Sequence, residues 1–176
     1  MAWIRRALIA LAAVVVVVVV GGWWLPSTFQ VSRSVRIAAP PAKVYALVAS
    51  PRQWPAWSVW NQRDPKMAMT YSGPESGVGA GWAWVSASQG NGRMRFTAAE
   101  PERSVGFELL FEDFGTASNG NFSFAAEGSE TRVTWSMVGD MGRNPVYHWF
   151  ALNADRMVGP DFEAGLANLK ALAEKP

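Results

Sequence analysis

Cysteine is absent from this chain, which excludes disulfides and thiolate metal sites and leaves the fold to its hydrophobic core alone. Charge of one sign is also missing. Lys and Arg outnumber Asp and Glu by only 16 to 14, and Arg5 and Arg6 supply that surplus, so everything from Ser27 onward is formally neutral. No basic stripe remains downstream to release counterions from phosphates, and nucleic acid is excluded as a partner. Histidine occurs once, at His148 in the aromatic stretch YHWF, where a lone imidazole reads as a packing or capping residue rather than a catalytic base.

What the chain has in excess is apolar sequence, 49% of its 176 residues. Ala7 to Leu25 carries no charge and includes an unbroken valine run from Val14 to Val20. At about 1.5 Å per residue this stretch spans roughly 28 Å as a helix, close to the ~30 Å hydrocarbon core of a bilayer. Trp3 at one end and Trp23 with Trp24 at the other stand where interfacial aromatics belong, and the two arginines hold the N-terminus on the cytoplasmic side. A cleaved signal peptide is the competing reading, since it shares the basic start. Its apolar region is usually shorter, about 7 to 15 residues, and ends at small residues, for which only Val20-Gly21-Gly22 is a candidate here. We therefore expect residues 1–26 to be an uncleaved single-pass anchor, 27–30 a linker, and 31–176 one domain on the non-cytoplasmic side.

Phe29 to Ala38 alternates apolar and polar residues as a half-buried strand does. Pro40 and Pro41 open a helix whose apolar face is Val44, Tyr45, Leu47 and Val48, and Ser50-Pro51 ends it. Six short alternating runs follow: Met67 to Tyr71, Trp82 to Ala87, Arg93 to Ala98, Ser104 to Phe114, Gly120 to Ala125 and Thr131 to Val138. Such runs, punctuated by Gly, Asn and Pro, predict an antiparallel meander. Gly77, Gly79 and Gly81 read as hairpin residues rather than a phosphate loop, because a strand and not a helix follows them. Asn121-Phe122-Ser123 matches a glycosylation acceptor in spelling but falls inside a predicted strand. Tyr147 to Glu174 has helical apolar spacing, with an interruption expected at Gly159-Pro160. The order defines an α+β layer architecture.

At this point the chain resembles the START-like superfamily of polyketide cyclases and lipid-transfer proteins (SRPBCC), over about Val31 to Glu174. The resemblance is carried by VRIAAPPAKVYALVASPRQWPAW, the YSGPESGVGAGWAW hairpin, TRVTWSM and MVGPDFEAGLANLKALAE. It implies a helix-grip fold, a curved antiparallel sheet around a long C-terminal helix, with a cavity between them for a hydrophobic ligand.

Alternation alone assigns the inner face. Val105, Phe107, Leu109 and Phe111 share one side of a strand and Glu108 and Glu112 the other, and the same logic turns in Trp82 and Trp84, Met94 and Phe96, Phe122 and Phe124, and Val133, Trp135 and Met137. Within WPAWSVW, Trp54 and Trp57 are expected to plug the core and Trp60 to stand nearer the cavity mouth. The candidates to line a ligand site are Trp60, Tyr71, Trp82, Trp84, Phe96, Phe107, Leu109, Phe122, Trp135, Phe150 and Met157. No nucleophile-base pairing stands out, and Asp140, Arg143 and Asp155 read as solvated ion-pair residues. No catalytic residue, metal or cofactor is assigned. The expected function is binding or shuttling of a hydrophobic or lipid-like molecule drawn from the adjacent membrane; the alternatives are a cyclase/dehydratase-type enzyme, or an interaction subunit whose cavity its own aromatics fill.

Protease added to spheroplasts is expected to degrade the domain, and the mature chain to retain Met1 or Ala2; a product beginning near Trp23 or Ser27 would make the segment a signal peptide.

Overall fold

The computed structural model describes residues 2–112 and 115–175 of the chain. Helix α1 covers Ala2–Gly22, and within it only Gly22 is buried. Valine is a weak helix former in water, so an exposed valine helix points to surroundings in which every backbone group must bond within the segment. By length and composition α1 can cross a membrane. Strand β1 then begins at Thr28, so the five residues Trp23–Ser27 connect it to α1.

Strand β1 is Thr28–Ile37, followed by α2 (Pro41–Ala49), a 3₁₀ turn over Pro51–Ala56 and α3 (Val59–Arg63). Strands β2 (Ala68–Ser72), β3 (Gly81–Val85), β4 (Gly92–Glu100), β5 (Ser104–Phe111), β6 (Ala117–Glu127) and β7 (Glu130–Asp140) precede α4 (Pro145–Ala173). The seven strands form one antiparallel sheet in the order β1-β7-β6-β5-β4-β3-β2. The run expected as Ser104 to Phe114 is a strand as far as Phe111; Asp113 and Phe114 lie outside the described residues. A register shift between Phe96 and Ala98 bends β4 against β5, a device that curves a sheet. Gly77 and Gly79 turn the chain between β2 and β3 with φ of 76° and 87°, as their hairpin role requires.

The inner faces assigned by alternation are the buried ones. Trp82, Trp84, Met94, Phe96, Val105, Phe107, Leu109, Phe122, Phe124, Val133, Trp135 and Met137 all belong to the core. Helix α4 closes the open side of the sheet with Ala151, Ala154, Phe162, Leu166 and Leu169. This is the helix-grip architecture.

Helix α4 is not interrupted at Gly159-Pro160; it runs unbroken through Pro160. The reason lies on β1. Arg33 points inward onto buried Gly159, where a Cβ would come within 2.0 Å of Nη2. Its guanidinium bonds Asp155 at 2.7 Å and Glu163 at 2.6 Å. Those carboxylates stand one turn before and one turn after Gly159, so a single side chain holds both sides of the point where proline removes a helix bond.

The hydrogen bonds from Arg33 hold the Asp155 carboxyl below its ordinary value, and those from Arg132 and Arg36 do the same for Glu127. A depressed folded-state pKa adds stability that is complete above the unfolded value and is lost as pH falls through the folded one. Denaturant titrations at about pH 7 and about pH 3 should therefore show an acid loss that Asp155→Asn reduces.

Candidate functional site

The interior is divided into a solid end and a hollow one. At the solid end, Trp54 donates its indole N–H to the Val48 carbonyl at 2.8 Å and Trp57 donates to Leu47 at 3.1 Å. Both rings thereby cap the last carbonyls of α2 while filling the core, at 2% and 0% exposure. Trp54 meets Trp57, Trp82, Phe96, Phe107, Phe122 and Trp135 at ring-centroid distances of 4.5 to 6.2 Å. Trp135 stacks on Phe162 of α4 at 3.9 Å and 8°. Half-buried Trp60 stands edge-on to both of those rings, at 5.8 and 6.4 Å.

Beyond this plug lies a cavity of about 210 Å³ between the sheet and α4. Of the residues expected at a ligand site, Trp60, Trp82, Trp84, Phe107, Leu109, Trp135 and Phe150 line it. Four others stand elsewhere. Phe96 and Phe122 face inward but are fully buried in the plug. Tyr71 lies under the Arg52 guanidinium, 4.5 Å from its ring centre, on the edge strand β2. Met157 is 57% exposed on the outer side of α4. The wall also includes Met67 and Met141, which sequence reasoning did not single out, beside the inward-facing Met94 and Met137. Thioethers on flexible stems let such a wall adapt its shape. Only the alternation of Met94 and Met137 carried a readable signal; Met67 and Met141 lie just outside strands.

Asp161 is the single ionisable side chain among the described lining residues, and Arg63 neutralises it with a two-pronged bond whose longer arm is 2.9 Å. The other polar liners are amides and hydroxyls: Asn61, Gln89, Ser58, Ser118 and Thr116. Trp135 Nε1 and Thr116 Oγ1 are buried without a protein partner, which is costly unless something else bonds them.

The half-buried liners fall in two groups, Trp60, Asn61, Val158 and Asp161 on the helices α3 and α4, and Met67, Gln89, Phe111, Thr116 and Phe150 at one end of the sheet. Strand register fixes which end this is. Thr28 pairs with Asp140, Ser118 with Gly139, Gly92 with Phe111, and Ala68 with Val85. One end of the strands thus collects the start of β1, the β5–β6 and β3–β4 connections and the approach to β2. Helix α1 enters the domain at that same end. Phe29, directly after the junction, forms the cavity wall and meets Phe150 edge-on at 5.8 Å.

His148 stands outside the cavity. It is buried, with Nδ1 2.7 Å from the Gly22 carbonyl and Nε2 2.9 Å from that of Gly142; a ring nitrogen bonds a carbonyl only when it carries a proton, and with the proton on Nδ1 the ring clasps the end of α1 to the start of α4. Asp155 joins the Arg33 bridge, and Asp140 accepts from the Gly142 N–H at 2.8 Å, which with a Ser27 bond lowers its pKa.

The fold and cavity define a helix-grip domain with an apolar interior. Residues 28–174 match the family described as polyketide cyclase / dehydrase and lipid transport, and the chain belongs to that family. No curated protein matches it. Among solved structures it is similar to a Chromobacterium violaceum protein at 17% identity, covering 86% of this chain and 100% of that one, TM-score 0.61. A Thalictrum flavum norcoclaurine synthase variant in complex with a transition-state analogue is similar at 13% identity, covering 83% and 94%, TM-score 0.63. A Mycobacterium smegmatis protein follows at 20% identity, covering 82% and 90%, TM-score 0.55. At these identities the likeness is one of fold.

His148→Ala, Asp140→Asn and Asp155→Asn are expected to leave ligand binding within a few-fold of wild type, because none lines the cavity. His148→Ala should instead speed proteolysis between Trp23 and Ser27, since it removes the clasp.

Proposed function

We propose that this protein is a membrane-anchored binding domain that takes one hydrophobic or lipid-like molecule into the cavity between its sheet and α4, without catalysis of its own. Helix α1 is the anchor, with the N-terminus cytoplasmic and the domain on the opposite side. The observation that carries this reading is an apolar cavity, its one carboxylate among the described liners already neutralised, with half-buried liners at the end of the sheet where α1 arrives.

The cavity volume limits what enters. About 210 Å³ corresponds to about seven waters at ~30 Å³ each, below the ~300–1,000 Å³ of sites for drug-sized ligands. It suits part of an acyl chain or a compact ring system, and methionine repacking would extend it. Burying each methylene is worth about 0.8 kcal/mol, and entry beside the bilayer spares the ligand a solvated intermediate. An acceptor oxygen on the ligand placed at Trp135 Nε1 would also satisfy that buried N–H.

Native mass spectrometry of detergent-extracted protein is expected to show a bound hydrophobic mass, and Leu109→Trp, which fills the cavity, to lose it while keeping the wild-type far-ultraviolet dichroism. Absence of any bound mass from the wild type would contradict the binding reading. Inserting about twenty Gly/Ser residues after Leu25, together with His148→Ala and Trp149→Ala to undo the contacts of α1 with α4, frees the domain without changing a cavity residue; equal occupancy in both proteins would then remove the role of proximity and leave binding intact.

A further inference from the structure

A surface helix of a globular domain normally turns charged and polar residues to solvent. The second half of α4 keeps large apolar side chains off its outer side, where the exposed residues are Glu163, Ala167 and Ala171. The first half does not. From Val146 to Pro160 the exposed positions include Val146 at 45% exposure, Trp149 at 38%, Leu152 at 52% and Met157 at 57%; the charges among them are Arg156 and Asp155, the latter bound to Arg33. Since the opposite side lines the cavity with Phe150 and Val158, this half of the helix is apolar on both faces. A contiguous exposed apolar surface of this kind marks a contact.

Its position says with what. The Trp149 indole donates to the Val18 carbonyl at 2.9 Å, and its ring would lie 3.2 Å from a Cβ on Gly21. Gly22 meets the Pro145 backbone so closely that a Cβ there would sit 2.1 Å from its carbonyl oxygen. Val18 is four residues before the end of α1, a depth of about 6 Å along the helix. The first turns of α4 therefore run beside the last turn of α1, level with the part of a membrane span that lies in the interface. Trp23 and Trp24, exposed at 61% and 87%, extend the apolar surface around the junction. Arg143 and Arg156, both exposed, flank it where guanidinium groups reach lipid phosphates.

We propose that the outer face of the first four turns of α4 is seated in the bilayer interface, so that the domain rests on the membrane in one orientation with the α1 end of its cavity against lipid. The seat rests on the reading of α1 as an anchor and deepens it: the bilayer holds the domain by two elements. Apolar side chains of an interfacial helix lie about 5–10 Å into the headgroup boundary, the depth that Trp149 has beside Val18. The carbonyl clasp of His148 and the close approach of Gly22 to Pro145 fix the angle between the two elements.

Because the natural chain has no cysteine, a single label position can be introduced by Leu152→Cys or Met157→Cys. Ala167→Cys, on the same outer line of α4, and Glu108→Cys, on the outer face of the sheet, serve as controls; all four positions are exposed. Each full-length variant is labelled with the environment-sensitive fluorophore NBD and reconstituted into phosphatidylcholine–phosphatidylglycerol vesicles. Labels at 152 and 157 should shift to the blue and lose emission when the lipids carry bromine on their chains, while those at 167 and 108 should do neither. Emission at 152 and 157 indistinguishable from that at 167 would overturn the seat. Sodium carbonate washing separates the two readings: a chain washed off the vesicles defeats the anchor and the seat together, whereas one retained with water-like labels defeats only the seat. Labels at 152 and 157 that self-quench as protein is concentrated, but ignore brominated lipid, would assign the face to a second copy and overturn the proposal.

Discussion

The stack of Trp135 on Phe162 is the contact on which the rest of the interior depends. Rings 3.9 Å apart and 8° from parallel leave no room for adjustment, so they set the distance between β7 and α4. Gly165, one turn further, keeps that distance possible, since a Cβ there would already be 3.0 Å from the Trp135 ring. Phe122, Trp54, Trp57 and Trp60 then gather around Trp135. Aromatic rings are rigid and bulky, and a plug made of them cannot spread to fill the whole space beneath a curved sheet. The hollow end exists because the solid end is so well filled.

The fold was legible because its two periods are clean. Alternation in SVGFELLF and TRVTWSM assigns every inward residue on β5 and β7 correctly. The site was legible only in part, because a period of two states which face a residue occupies and not how deep along the strand it lies. Phe96 and Phe122 are on the right face but inside the plug, whereas Trp84 and Leu109, on the same face, reach the cavity. Helical spacing failed differently. Met157 was expected to line the cavity, yet the outer side of the first half of α4 also carries large apolar residues, so hydrophobicity no longer distinguishes the two faces there. Continuity through Pro160 had no local signal at all, since it depends on Arg33 more than a hundred residues earlier.

The junction at Gly22 joins two environments with different rules. Below it, a valine helix satisfies its own backbone; above it, strands satisfy one another. His148 connects them through carbonyls on both sides, and Trp149 adds an indole to the last turn of α1. Consecutive residues of α4 thus touch α1 while their neighbours Phe150 and Ala151 serve the interior. The same two turns carry a wall of the cavity and the contact with α1.

The sheet order has a consequence for how the molecule is made. β1 is the first strand synthesised, but its only neighbour is β7, and Ser34 waits for Thr134, 100 residues later, before their hydroxyls meet. Pairings this distant in sequence form slowly, because the loop must close before the contact is gained. Until β7 emerges, β1 has no partner among the described strands, so the domain cannot close before most of its length has been made. The ladder that completes the domain closes directly beside the point at which α1 holds the chain.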